Sequence, residues 1–145
     1  MPPLLAVAVL AALVVLATAI GLLQRGRSGR LRAGSGETIE SDQLGSAVPL
    51  GARATLVQLS TPTCAQCPGT ARLLRSVAEQ HDGVVHLEVD LTRHPEVADR
   101  FGVLQTPTTL LVDGAHRVRA RIGGAPRPDA LDRELQTVLG GDRVR

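Results

Sequence analysis

The chain has 145 residues and a formal net charge of +2, with 16 basic against 14 acidic side chains, a balance that argues against a polyanionic partner. Phe101 is its only aromatic residue, which leaves no platform for stacking nucleic-acid bases. The length suits one domain with an appendage and not two full domains, and the 43% of apolar residues is enough for a small core.

Residues 4–23 carry no charge and are mostly Leu, Val and Ala. As a helix rising ~1.5 Å per residue they extend roughly 30 Å, the thickness of a bilayer's hydrocarbon core. Residues 1–23 are therefore expected to form a transmembrane anchor. A cleaved signal peptide is one alternative: Ala17-Thr18-Ala19 has the small-x-small cleavage pattern, although no basic residue precedes the apolar run. A buried core helix is the other, although so small a domain has little to cover a helix that is apolar all round. Arg25, Arg27, Arg30 and Arg32 follow the span, so the positive-inside rule puts the C-terminal part in the cytoplasm. Residues 24–37 are rich in Gly, Ser and Arg and read as a flexible linker, a solvated tether close to lipid headgroups.

Residues 38–140 are expected to form the folded domain, and 141–145 a frayed tail. Residues 40–44 suggest a short helix. The run ATLVQLS over residues 54–60 reads as a strand that stops at the turn Thr61-Pro62-Thr63. Cys67, Ala71, Leu74 and Ala78 then fall on one face of a helix, while Arg72, Arg75 and Glu79 face away. That helix ends near His81-Asp82-Gly83. Residues 84–90 (VVHLEVD) make a second strand, and Pro95 opens a short helix over 95–101 that Gly102 closes. Residues 108–112 and 116–122 read as a hairpin around Asp113-Gly114. Residues 129–139 form a closing amphipathic helix. The order β-α-β-α-β-β-α predicts an α/β domain. Its first two strands are parallel, its last two antiparallel, and helices cover both faces of the mixed sheet.

The chain has two cysteines, Cys64 and Cys67, separated by two residues. Cys64 follows a strand and is expected at the start of a helix, where partial positive charge and unpaired N–H groups favour the thiolate, the nucleophile of disulfide exchange. Cys67, one helical turn on, can reach that sulfur and resolve a mixed disulfide. Half of a zinc site is the competing reading. It needs four ligands, and His81, His86, His94 and His116 form no H-x3-5-H pair. Two inert structural cysteines are the other alternative.

Together these segments resemble the thioredoxin family. The strand ATLVQLS leads into Pro62-Thr63-Cys64-Ala65-Gln66-Cys67, VVHLEVD is followed by Phe101-Gly102-Val103, and then come Leu104-Gln105-Thr106-Pro107-Thr108 and Gly123-Gly124. The resemblance implies a thioredoxin fold over residues 38–139. It implies a cis Thr106–Pro107 peptide packed against Cys64, with that loop pairing with an extended substrate peptide. Cys64 and Cys67 are then the catalytic pair, Thr106 and Pro107 the substrate-binding residues, and no bound cofactor or metal is called for. Partners are protein disulfides or dithiols, an unidentified redox partner that resets the pair, and membrane lipid through the N-terminal helix; nucleic acid is not among them. Many relatives of this architecture work outside the cytoplasmic membrane, which keeps an extracytoplasmic placement open.

The departures are specific. Thr63 stands where the family usually has Trp, and Ala65-Gln66 where it has Gly-Pro. Gln58 falls at the place of a buried aspartate and cannot act as its proton acceptor. His86 falls at the place of the lysine that often pairs with that aspartate. It reads either as a proton carrier near neutral pH or as an ordinary satisfied polar residue. A non-catalytic binding or redox-sensing module at the membrane is the alternative to a disulfide oxidoreductase.

Overall fold

The structure is a computed structural model and describes residues 3–27 and 29–141. The first element, α1 (Pro3–Arg27), is long and apolar enough to cross a membrane over Pro3–Leu23, and every residue of that stretch is exposed. It continues one turn past the apolar run. The elements that follow are β1 (Leu31–Ala33), a 3-10 turn over Asp42–Leu44, β2 (Ala54–Ser60), α2 (Cys67–Glu79), β3 (Val84–Asp90), α3 (Pro95–Arg100), β4 (Thr108–Asp113), β5 (Val118–Gly123) and α4 (Pro128–Gly141).

The five strands form one mixed sheet in the order β1-β5-β4-β2-β3. β2 and β3 run parallel, as a helical crossover requires, and the other three pairings are antiparallel. Alternation along the central strands divides the core in two. Val57 and Leu59 of β2, with Leu110 and Val112 of β4, pack with Val97 and Phe101 on the α3 face. Leu56 of β2 and Leu111 of β4 pack with Leu74 of α2 and Leu131 and Leu135 of α4 on the other. By the same alternation Gln58 points to the α2 face, and it is completely buried there.

Two expectations are corrected. Residues 24–37 are not a flexible linker throughout. Leu31–Ala33 pair with Ile122, Arg121 and Ala120 of β5, and the pairing extends at both ends. The Gly29 N–H donates to the Gly123 carbonyl at 2.7 Å, Gly34 N–H to Arg119 O at 2.8 Å and Gly36 N–H to Val118 O at 3.0 Å. The Ile39 N–H reaches His116 O at 2.8 Å, so the segment follows the whole of β5. Backbone bonds carry this strand. It has no apolar alternation, and two of its glycines lie where a neighbouring segment comes close: a Cβ on Gly34 would strike the Val118 carbonyl, and one on Gly29 the Ala125 carbonyl.

The β4–β5 connection is also longer than the two-residue turn expected at Asp113-Gly114. The carboxylate of Asp113 accepts the N–H groups of Ala115 and Arg117, each at 2.9 Å, and so holds a wider loop. His116, not Gly114, takes the left-handed conformation there, at φ 61°.

Candidate functional site

The strand β2 is buried along its whole length and ends where the cysteine loop begins. The Cys64 N–H donates to the Thr61 carbonyl at 3.1 Å, and the Cys67 N–H to the Cys64 carbonyl at 3.2 Å. The helix α2 opens at Cys67 with Pro68 in its first turn, where a missing N–H costs little. Cys64 therefore sits one turn ahead of the helix, not inside it. A disulfide joins the two cysteines, whose Cα atoms are 5.4 Å apart. Cys67 is buried and Cys64 is half-buried. Of the two sulfurs, that of Cys64 is the one open to another molecule.

Beneath the pair lies a short polar chain. Gln58 donates through Nε2 to the carbonyl of Cys67 at 3.0 Å. Its Oε1 meets Nε2 of His86 at 3.2 Å across the β2–β3 pairing. A carbonyl can only accept, so the amide must turn its nitrogen to Cys67 and its oxygen to His86. The facing nitrogen of His86 then carries the proton, which leaves Nδ1 as the nitrogen free to gain one. Burial is the main cause that holds the His86 pKa below its ordinary 6.5; Glu88 pulls it up and Arg75 pushes it further down. The Glu88 carboxylate also accepts the Ser60 hydroxyl at 2.8 Å, at the last residue of β2.

The second loop arrives from β4. The Thr106–Pro107 peptide is cis, in agreement with the resemblance. Pro107 is buried and Thr106 half-buried. The Pro107 carbonyl accepts the Gly124 N–H at 2.7 Å, and the Thr108 hydroxyl caps the Gln105 carbonyl at 2.8 Å. The hydroxyls of Thr61 and Thr106 are 3.4 Å apart and link this loop to the cysteine loop. Arg121 of β5 donates to the carbonyls of Phe101 and Gly102 and fixes the start of the segment leading to Pro107. Within that segment Leu104 is 96% exposed.

Of the residues singled out in the sequence, Cys64 and Cys67 are joined directly, and Thr106 and Pro107 reach their loop through Thr61. His86 touches neither sulfur; Gln58 stands between it and Cys67. The Thr61–Thr106 link was not foreseen, since two threonines far apart in sequence carry no pairing signal. Among the described residues no group of three or more His, Cys, Asp or Glu side chains is placed to hold a metal ion.

A family model described as Thioredoxin domain matches residues 55–132. The SPbeta prophage-derived thioredoxin-like protein YosR of Bacillus subtilis is 36% identical over 83 residues, 56% of this chain and 98% of that protein. Thioredoxin 1 of Nostoc sp. is 28% identical over 91 residues, 62% of this chain and 80% of its own length. Among solved structures, a mutant thioredoxin from Halobacterium salinarum superposes with a TM-score of 0.54 at 21% identity, covering 60% of this chain and 75% of that one. The oxidized mitochondrial thioredoxin 3 of Saccharomyces cerevisiae gives 0.52 at 20% identity, covering 59% and 78%. At these identities the structural likeness concerns the fold.

Proposed function

The chain belongs to the thioredoxin family and is a thiol–disulfide oxidoreductase in the general sense, and on that premise we propose that Cys64 and Cys67 carry the exchange with protein substrates. The observation that carries this reading is the disulfide between a half-buried Cys64 and a buried Cys67 at the mouth of α2. Family members act on protein disulfides, and this pair has the asymmetry such a reaction needs. In the dithiol state Cys64, ahead of the helix N-terminus, ionises and attacks a substrate disulfide. One substrate sulfur leaves as a thiol and the other stays bound to Cys64. Cys67 then attacks Cys64, releases the second substrate thiol and closes the disulfide. Two electrons and two protons pass to the substrate, and the pair returns by the reverse exchange with a redox partner. The residues themselves supply the chemistry.

Thr106 and Pro107 are the substrate-binding residues of this proposal. Their loop borders the cysteine loop through Thr61 and presents the exposed Leu104 to an incoming peptide. His86 we assign to holding Gln58, and through it the Cys67 carbonyl, rather than to proton transfer to a sulfur. Its protonated nitrogen faces an amide, and an amide does not pass a proton on. Residues 1–23 act as a single-pass anchor in this reading, and the arginines that follow are what supports a cytoplasmic side for the domain. In this reading the folded domain includes the edge strand β1 and the Gly29 N–H bond that precedes it.

The test is single-turnover exchange between the reduced chain and insulin. Cys64→Ser is expected to abolish exchange, and Cys67→Ser to accumulate a mixed disulfide between Cys64 and the substrate. Retention of exchange by Cys64→Ser would overturn the assignment. Absence of exchange in the unaltered chain would leave a binding module.

A further inference from the structure

The strand directions determine at which end of the sheet the chain enters the domain. Cys64 follows the C-terminal end of β2. β4 is antiparallel to β2 and starts beside that end, with Thr108 opposite Leu59. β5 is antiparallel to β4 and finishes there, with Gly123 opposite Thr108. The edge strand is antiparallel to β5 and begins at the same end: the Gly29 N–H donates to the Gly123 carbonyl at 2.7 Å, and the next residue, Gly124, donates to the Pro107 carbonyl at 2.7 Å. The chain therefore enters the domain at the end that holds the cysteines and Pro107, then runs along β5 toward the opposite hairpin.

The entry point is close to the apolar span. Arg27 ends α1, and a single residue separates it from Gly29, which is buried against Ala125 and Arg127. Two residue steps of at most ~3.8 Å each limit the Arg27–Gly29 Cα separation to about 8 Å. Arg27 stands roughly 6 Å of helical rise beyond Leu23. Gly29 thus lies within ~14 Å of the last apolar residue, a distance that begins in the headgroup layer. Three strand spacings of ~4.8 Å, about 14 Å in all, separate Gly29 from β2 at the same end of the sheet. The opposite hairpin lies a further ~20 Å away along the strands. Exposed Arg30, Arg32 and Arg127 add positive charge to the anchored end, where anionic headgroups would meet it.

We propose that the edge strand holds the Cys64–Cys67 end of the domain at the bilayer surface, so that its partner is a disulfide or dithiol in the membrane-proximal segment of another membrane protein. The proposal rests on the exchange reading above and on α1 spanning a bilayer. A long tether would let the cysteines sample any height; this attachment confines them to a shallow layer next to the lipid.

The test uses the reduced full chain in vesicles of phosphatidylcholine and phosphatidylglycerol. The probes are two transmembrane model helices, each carrying a disulfide-linked fluorescent thiol. One holds its disulfide at the headgroups and the other about 40 Å above them on a helical spacer of ~27 residues. The soluble disulfide 5,5′-dithiobis(2-nitrobenzoic acid) is the control. The low probe is expected to react at least about tenfold faster than the high one, through its higher effective concentration. A Gly/Ser insertion of about 30 residues after Arg27, with an r.m.s. span of ~30 Å, is expected to erase that preference while leaving the soluble control unchanged. Equal rates for the two probes, or a preference that survives the insertion, would overturn the proposal while the soluble control shows that exchange itself stands. Failure with all three disulfides would overturn the exchange reading, and this proposal with it.

Discussion

Replacing Gln58 by Met keeps the approximate length and shape of a fully buried side chain and removes both of its hydrogen bonds. The Cys67 carbonyl keeps its intrahelical partner and loses this second bond, at a cost of about 0.5–1.5 kcal/mol, and the half-buried His86 N–H loses its partner at a cost of about 1 kcal/mol. The sum is a destabilisation of roughly 2 kcal/mol, or a drop in the urea midpoint of about 1–2 M for a domain of this size. The assay is urea denaturation at pH 7.5 of the fragment beginning at residue 28, with the denaturant slope unchanged. Gln58→Glu sharpens the test. An ionised carboxylate cannot donate to the Cys67 carbonyl, whereas a protonated one can, so folding raises this group's pKa above its unfolded value near 4.3. The stability it contributes is complete below about pH 4.3 and is lost as pH rises through the folded pKa. A Gln58→Met midpoint equal to that of the unaltered chain, together with a Gln58→Glu variant indifferent to pH, would refute the bridge between His86 and Cys67.

Other outcomes follow from the same geometry. Because burial depresses the His86 pKa, the unfolded chain takes up this proton first, so stability is present above pH 6.5 and falls as pH drops below that value; in urea titrations His86→Gln should lose that part of the pH dependence. A fragment starting at residue 34 lacks the Gly29 bond and the Leu31–Ala33 pairing, and it should be about 1–3 kcal/mol less stable than one starting at 28; equal midpoints would mean the edge strand adds nothing. Thr106→Val cuts the link to Thr61, so exchange with a folded protein disulfide should slow several-fold while 5,5′-dithiobis(2-nitrobenzoic acid) reacts at the original rate. Slowing with both would point to damage at the cysteines instead.

The domain was legible wherever side-chain period carries structure. β2, β3 and β4 are apolar runs of strand length, and α2 shows its buried stripe of Ala71, Leu74 and Ala78, so their existence and order could be read directly. The C-x-x-C spacing and the Thr-Pro-Thr segment pointed to one site because a shared family pattern relates them. Residues 29–39 were not legible. Their Gly, Ser and Arg content is that of a linker, and what orders them is a row of backbone bonds to β5 that leaves no mark on side-chain pattern. Gly29 and Gly34 were the available signal, since glycine suits a chain lying close against a neighbour. At the site, Gln58 was recognisable as a departure from the family. Its bridging role was not, because that depends on which amide end faces the Cys67 carbonyl.

The central claim is that Cys64 and Cys67 form a reversible two-electron couple. The direct measurement is the reduction potential of the pair in the fragment beginning at residue 28, from equilibration with graded dithiol and disulfide buffers. The account predicts a single two-electron transition; a value near −270 mV marks a disulfide reductase and one near −120 mV an oxidant. A pair that stays wholly oxidised or wholly reduced across that range would contradict it.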